Sequence, residues 1–101
     1  SGIYVSPFEV EATLVQHPAV LEAAVIGVED AEGLTKTKAF VVIKPGQQTD
    51  EATLKAFCKD HLAPYKYPRQ IEFVEDLPKT ATGKIQRFKL RERERAQGTG
   101  A

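Results

Sequence analysis

Apolar residues cluster in short runs along the chain, and three of these runs have the composition of β-strands. Residues 20–28 and 37–43 are rich in valine and isoleucine, and a polar, glycine-containing segment lies between them, so they are predicted to pair. Residues 71–74, with the sequence Ile-Glu-Phe-Val, predict a third short strand. Together these runs predict a small three-stranded sheet.

A helical spacing of polar and apolar residues follows the opening segment. Ser6, Pro7 and Glu9 have the form of a capping box, because they suit the N-cap, the first and the third helical positions. The helix is predicted to end at His17 and Pro18. Its predicted apolar face consists of Phe8, Ala12 and Val15, beside a polar stripe of Glu9, Thr13 and Gln16.

Residues 50–62 predict a second amphipathic helix. Its apolar face is formed by Leu54, Phe57, Cys58 and His61, at positions i, i+3, i+4 and i+7. Because free cysteine is usually a small buried hydrophobic residue, Cys58 is assigned to the core rather than to catalysis, and His61 on the same face is assigned with it.

Charged residues form the outer face of the second helix and dominate a third. Glu51 stands four residues before Lys55 and is expected to pair with it, whereas Lys59 is expected to be a solvated lysine of little effect. Residues 86–95 predict a charged terminal helix whose Arg-Glu-Arg-Glu-Arg run is a solvated face, and residues 96–101 predict a disordered tail.

The predicted order is therefore helix, strand, strand, helix, strand, helix, which describes an α+β fold with helices packed on one sheet. At 101 residues the chain is expected to form a single domain, which we place at residues 1–95. The chain does not begin with methionine, so we expect it to be a piece of a longer polypeptide.

Composition limits the partners of this domain. Lys plus Arg and Asp plus Glu both number 14, so there is no net field to attract nucleic acid or an anionic membrane. There is one cysteine and no Cys/His cluster with the spacing of a zinc site, so no metal site is predicted. No long apolar run or leader is found, and we expect a soluble protein in the reducing cytoplasm.

One lysine stands in a glycine-containing loop near the end of the chain, at Gly83–Lys84. A Gly-Lys pair is typical of phosphate-binding loops, but that pattern needs a glycine five residues before Gly83 and a Ser or Thr after Lys84. Pro78 and Ile85 occupy those two positions, so the P-loop interpretation is excluded. Taken alone, Lys84 would be interpreted as a solvated surface lysine.

Three segments together resemble one family, the small C-terminal domain of the adenylate-forming enzymes. They are the opening "SGIYVSPFEVE", the central "PYKYPRQIEFV" and the lysine-containing "LPKTATGKIQR". The resemblance covers residues 1–95, and the first and third segments look most like benzoate-type and aminobenzoate-type CoA ligases. The family's pattern around its active-site lysine is matched here by Pro78, Lys79, Gly83, Lys84, Ile85 and Arg87.

The resemblance implies a two-step reaction. A carboxylate and ATP, with Mg²⁺, give an acyl-adenylate and pyrophosphate, and CoA then displaces AMP to form a thioester. A larger N-terminal domain of the same polypeptide would bind ATP and an aromatic acid, while this domain swings between two positions as a lid. Lys84 matches the catalytic lysine, and Gly83 would let its loop approach the nucleotide. The isolated domain is expected to be inactive.

Two further loops are expected to bind CoA. The opening loop would line the path of the pantetheine arm, and "PYKYPR" offers cations for the phosphates and a tyrosine for the adenine. A plain turn and a proline-bounded surface loop are the competing interpretations of these two loops. The predicted CoA-binding residues are Gly2, Ile3, Tyr4, Tyr65, Lys66, Tyr67 and Arg69.

Other functions stay open at this point. The same domain could serve a fatty acyl-CoA synthetase or an adenylation domain that loads a carrier protein. A small RNA-binding module could use Lys66, Arg69, Lys84 and Arg87, although the neutral net charge makes nucleic acid an unlikely ligand. The resemblance also implies a lysine acetyltransferase as a partner, since acetylation of Lys84 would remove its charge.

Overall fold

A computed structural model of the chain describes residues 7–29, 35–62 and 67–99. Within these ranges the element order is α-β-β-α-β-α, which confirms the predicted α+β fold and its three-stranded sheet. The bounds are α1 Pro7–Leu14, β1 Val20–Glu29, β2 Thr35–Ile43, α2 Glu51–His61, β3 Gln70–Phe73 and α3 Arg87–Thr99.

The sheet is mixed, with β2 in the centre and the order β1-β2-β3. β1 and β2 are antiparallel, with Val20 opposite Ile43 at one end and Glu29 opposite Thr35 at the other. β2 and β3 are parallel, and a parallel pair needs a crossover, which α2 supplies here. Both outer strands are therefore sheet edges.

Helices cover both faces of this sheet, so the domain has two cores. Alternate residues of β2 point to opposite faces: Ala39 and Val41 face the side of α1 and α2, and Phe40 and Val42 face α3. The first core consists of Val10, Leu14, Val20, Ala23, Val25, Ala39, Val41, Leu54, Cys58 and Ile71. The second core consists of Ala24, Ile26, Phe40, Val42, Leu77 and Leu90.

The predicted apolar face of α1 is wrong, although the helix begins at Pro7 as expected. Phe8 and Val15 are 64% and 46% exposed, and Ala12 is exposed as well. The buried face is instead Val10, Glu11, Thr13 and Leu14. A helix of two turns gives too short a pattern to identify its inner face, and the burial of Glu11 depends on partners elsewhere in the chain. The proposed N-cap, Ser6, lies outside the described residues.

The second helix agrees with its prediction except at the end. Leu54 and Cys58 are fully buried, and Lys55 pairs with Glu51 at 3.0 Å. His61 is exposed rather than in the core, because it lies in the last turn, where its ring stacks on the half-buried Phe57. Burial raises the pKa of the Cys58 thiol to about 11, which keeps it protonated and unreactive at neutral pH.

The charged run of α3 is not a plain solvated face. Glu94 Oε1 lies 2.6 Å from Nζ of Lys38, a buried lysine on β2 that also contacts Glu72 of β3 at 3.0 Å. Desolvation lowers the pKa of Lys38, but its hydrogen bonds to Glu94 and Glu72 outweigh this effect and the pKa is raised. These ion pairs attach α3 to the sheet, and its backbone continues past residue 95.

Candidate functional site

Residues 77–87, here called the lysine loop, lie between β3 and α3, include the first residue of α3, and are fixed at their base by apolar packing. Leu77 is buried in the second core beside Leu90 of α3, and the half-buried Ile85 packs against the same core. The two strands of the loop pair with each other, since Lys79 and Ile85 form an antiparallel bridge. Gln86 N donates to Pro78 O at 2.8 Å. The loop is thus a small hairpin.

The tip of this hairpin is a tight turn closed by Thr80 and Gly83. Gly83 N donates to Thr80 O at 2.9 Å, and the backbone of Gly83 has φ +88°. This left-handed conformation favours glycine. A Cβ on Gly83 would meet no atom within 4 Å, so the turn needs glycine for its backbone angle rather than for space.

Lys84 follows this turn, and its backbone is held from both sides by Thr80. Thr80 N donates to Lys84 O at 2.8 Å, and Lys84 N donates to Thr80 Oγ1 at 3.1 Å. The side chain is exposed, and in the described parts of the chain its ammonium group has no ion-pair partner. A free charge is therefore presented from a fixed position.

Lys79, in the same loop, is bound instead. Its Nζ lies 2.7 Å from Oε2 of Glu22 on β1 and 3.4 Å from Oδ1 of Asp76. The hydrogen bond to Glu22 is the main reason that the pKa of Lys79 is raised. The contact joins one strand of the lysine loop to the sheet.

Arg87 joins the other end of the loop to Glu11 of α1. Its Nε donates to Glu11 Oε2 at 2.7 Å, and its Nη2 also contacts Glu11. The buried Glu11 carboxylate accepts a further bond of 2.7 Å from the backbone N–H of Val25. The hydrogen bond to Glu11 raises the pKa of Arg87, and the guanidinium lies 4.7 Å from the ring centre of Phe8. Arg87 is therefore already occupied, which weakens the RNA-binding interpretation.

Residues 67–69 form a second candidate site beside β2. Tyr67 is half-buried against the first core, Pro68 is buried, and Arg69 N donates to Thr37 O at 2.9 Å. The Arg69 guanidinium lies 5.1 Å from the ring centre of Tyr67, and Nζ of Lys59 lies 4.4 Å from the same ring centre. The sequence predicts Lys59 to be a solvated lysine of little effect, whereas the structure places it over the Tyr67 ring. Lys59 comes from α2, and only the fold brings it there.

The remaining predicted CoA contacts, Gly2, Ile3, Tyr4, Tyr65 and Lys66, lie outside the described residues. They stay predictions. Over residues 7–29, 35–62 and 67–99, no group of three or more His, Cys, Asp or Glu side chains could hold a metal ion. In the same ranges no helix is long and apolar enough to span a membrane.

Comparison with known proteins places these features in one family. Residues 9–84 match the family model of the AMP-binding enzyme C-terminal domain. The chain is 69% identical over 94 residues to benzoate–CoA ligase of Thauera aromatica. The aligned region covers 90% of this chain and 18% of that protein.

Two solved structures resemble the domain as well. An anthranilate CoA ligase in complex with anthranoyl-AMP matches with a TM-score of 0.82 and 59% identity. The match covers 91% of this chain and 18% of the ligase chain. A benzoate CoA ligase from Burkholderia xenovorans matches with a TM-score of 0.79 and 68% identity. The match covers 87% of this chain and 18% of the ligase chain. The chain thus spans less than a fifth of the length of these relatives.

Proposed function

Because the chain belongs to the AMP-binding enzyme C-terminal domain family, we propose that it is the C-terminal domain of an ATP-dependent aryl-CoA ligase. In the first step a carboxylate oxygen attacks the α-phosphorus of ATP, and pyrophosphate leaves. In the second step the CoA thiol attacks the acyl carbon, and AMP leaves as the thioester forms. The names of relatives at 59 to 69% identity, which specify benzoate and anthranilate, support an aromatic acid as the substrate.

The observation that carries this proposal is the geometry of Lys84. Negative charge increases on the phosphoryl oxygens and on the leaving pyrophosphate as the carboxylate attacks, and a positioned ammonium stabilises that charge. The two hydrogen bonds between Thr80 and Lys84 fix the backbone of Lys84 before substrate arrives, so less order has to be imposed when the loop closes over ATP. Its long exposed side chain can reach a nucleotide held by another domain.

We assign ATP, Mg²⁺ and the acid to the larger N-terminal domain, and CoA to the boundary between the two domains. This assignment is supported by the family model, which describes the C-terminal domain of AMP-binding enzymes. On the side of this domain, Tyr67 and Arg69 would contact CoA, together with the predicted residues of the two undescribed loops. A cytoplasmic location is proposed from composition alone.

Acetylation of Lys84 by a lysine acetyltransferase is proposed as a means of regulation, because it would remove the charge that the first step needs. The exposure of the side chain supports access by a modifying enzyme. Stoichiometric acetylation at Lys84 with undiminished pyrophosphate exchange would contradict this proposal.

The experiment that tests the proposed reaction uses the full-length ligase and measures ATP–pyrophosphate exchange with benzoate, 2-aminobenzoate and a medium-chain fatty acid. Exchange that depends on an aromatic acid, followed by thioester formation when CoA is added, is the expected result. Preference for the fatty acid, or transfer to a carrier protein but not to CoA, would favour the corresponding alternative. The 101-residue chain alone is the control and should catalyse neither step.

A further inference from the structure

The lysine loop is a short hairpin, and the direction in which it presents Lys84 depends on what holds its base. Gln86 N donates to Pro78 O at 2.8 Å, so the two strands of the hairpin move together. Leu77 and Ile85 pack against the second core. Apolar packing is non-directional, so it keeps the hairpin on the domain without setting its tilt.

The bonds of Arg87 are directional, and Arg87 comes only three residues after Lys84. Its Nε donates to Glu11 Oε2 at 2.7 Å, and its Nη2 donates to Glu11 Oε1. Two such bonds between a guanidinium and a carboxylate fix distance and angle together. The bond from Lys79 to Glu22 is exposed by comparison, and exposed ion pairs contribute little.

The Glu11 carboxylate is itself held in place. Glu11 is 8% exposed, and its Oε2 accepts a further bond of 2.7 Å from the backbone N–H of Val25. One carboxylate thus joins α1, β1 and the end of the lysine loop. A buried ion pair contributes little net stability compared with an apolar pair of similar volume, so stability alone does not account for this one.

We propose that Glu11 and Arg87 are positioning residues for the first step, because their ion pair sets the tilt of the lysine loop and so aims the Lys84 ammonium at the nucleotide. This proposal rests on the proposed function, in which Lys84 stabilises negative charge as the acyl-adenylate forms. Glu11 and Arg87 act through Lys84 and do not contact substrate. Thioester formation does not use the charge of Lys84, so loss of the ion pair should affect one step only.

The experiment compares the two steps within single preparations of the full-length ligase, so that a change in the amount of folded enzyme cancels in their ratio. Arg87→Met and Glu11→Gln are each expected to lower kcat for ATP–pyrophosphate exchange about tenfold, within the roughly hundredfold loss that a misplacement of about 1 Å can cause. The KM for ATP and the rate of thioester formation from synthetic acyl-adenylate and CoA should be unchanged. Arg93→Met is the matched control and should leave the ratio unchanged, because Arg93 lies on the same helix but pairs with Glu72, at 3.1 Å.

A double variant, Glu11→Gln with Arg87→Met, separates the aim of the loop from the effect of an unpaired charge. It removes both charges together and retains a side-chain oxygen that can accept the N–H of Val25. Because the two residues act as one unit, the double variant should lose no more exchange activity than either single variant. Recovery of the exchange rate in the double variant would overturn the proposal, since an unpaired charge would then explain the losses in the single variants.

Two other results would also overturn the proposal. Equal losses in both steps for all three variants would show that the ion pair only maintains the fold. An exchange rate that is unchanged in either single variant would show that the pair does not aim Lys84. Failure of the proposed function has a different signature, since the unaltered ligase would then show no pyrophosphate exchange that depends on an aromatic acid.

Discussion

Lys79 and Lys84 belong to the same hairpin and both match the family's sequence pattern, yet the structure treats them oppositely. Lys79 lies in the paired base of the loop and is bonded to Glu22 and Asp76, whereas Lys84 lies beyond the turn with its ammonium group exposed. One lysine uses its charge within the domain, and the other presents its charge to the outside. A sequence motif can therefore combine a residue that holds a loop with a residue whose charge is left exposed.

The largest expected effect is that of Lys84→Ala on the first step in the full-length ligase. Removing one well-placed charge from a site that excludes water costs roughly 3 to 4 kcal/mol, or about a hundred- to a thousandfold in rate. Pyrophosphate exchange should fall by that factor, while thioester formation from synthetic acyl-adenylate and CoA should be largely retained. Equal loss in the two assays, or no loss in either, would remove the catalytic distinction between Lys84 and Lys79.

The next largest effect is expected on the stability of the domain when Arg87, at the C-terminal end of the lysine loop, is replaced. Arg87→Ala should lower the free energy of unfolding of the domain by about 2 to 4 kcal/mol, because it leaves the buried Glu11 carboxylate without its counter-charge. Chemical denaturation of the 101-residue chain would measure this change. Arg93→Ala is the matched control on the same helix, since its pair with Glu72 is half-exposed and should contribute less than about 1 kcal/mol. Similar losses in the two variants would contradict the assigned role of Arg87.

A smaller effect is expected at Gly83, where the turn needs a left-handed backbone. Gly83→Ala should cost about 1 kcal/mol of stability, since a Cβ is unfavourable at this angle but meets no neighbouring atom. Gly46 has a similar φ of +81° and equally open surroundings in another turn, so Gly46→Ala is its control. The two variants should lose similar stability by denaturation, but only Gly83→Ala should slow pyrophosphate exchange. Equal exchange rates would show that the turn does not position Lys84.

Much of this fold could be predicted from sequence because its signals are local. The valine-rich strands, the apolar spacing of α2 and the glycine turn before Lys84 each depend on residues close together in the chain. The inner face of α1 could not be predicted, since Glu11 is buried only because Arg87 and the edge of β1 satisfy its carboxylate. The same is true of Lys59, whose contact with Tyr67 exists only after α2 packs beside β3.

The smallest effect is expected for Lys79→Ala, and it completes the comparison with Lys84. The ion pairs of Lys79 are solvent-exposed, so their removal should cause a small loss of stability that disappears at high salt. Because the pKa of Lys79 is raised by Glu22, the stabilisation is present at neutral pH and is lost as the pH rises through that raised pKa. Denaturation of the chain at neutral and alkaline pH, in low and high salt, would measure both dependences. In the full-length ligase the variant should retain pyrophosphate exchange within a few-fold of the unaltered enzyme, because the base of the hairpin is also held by Leu77, Ile85 and Arg87. A loss as large as that of Lys84→Ala would mean that the two lysines act together on the nucleotide.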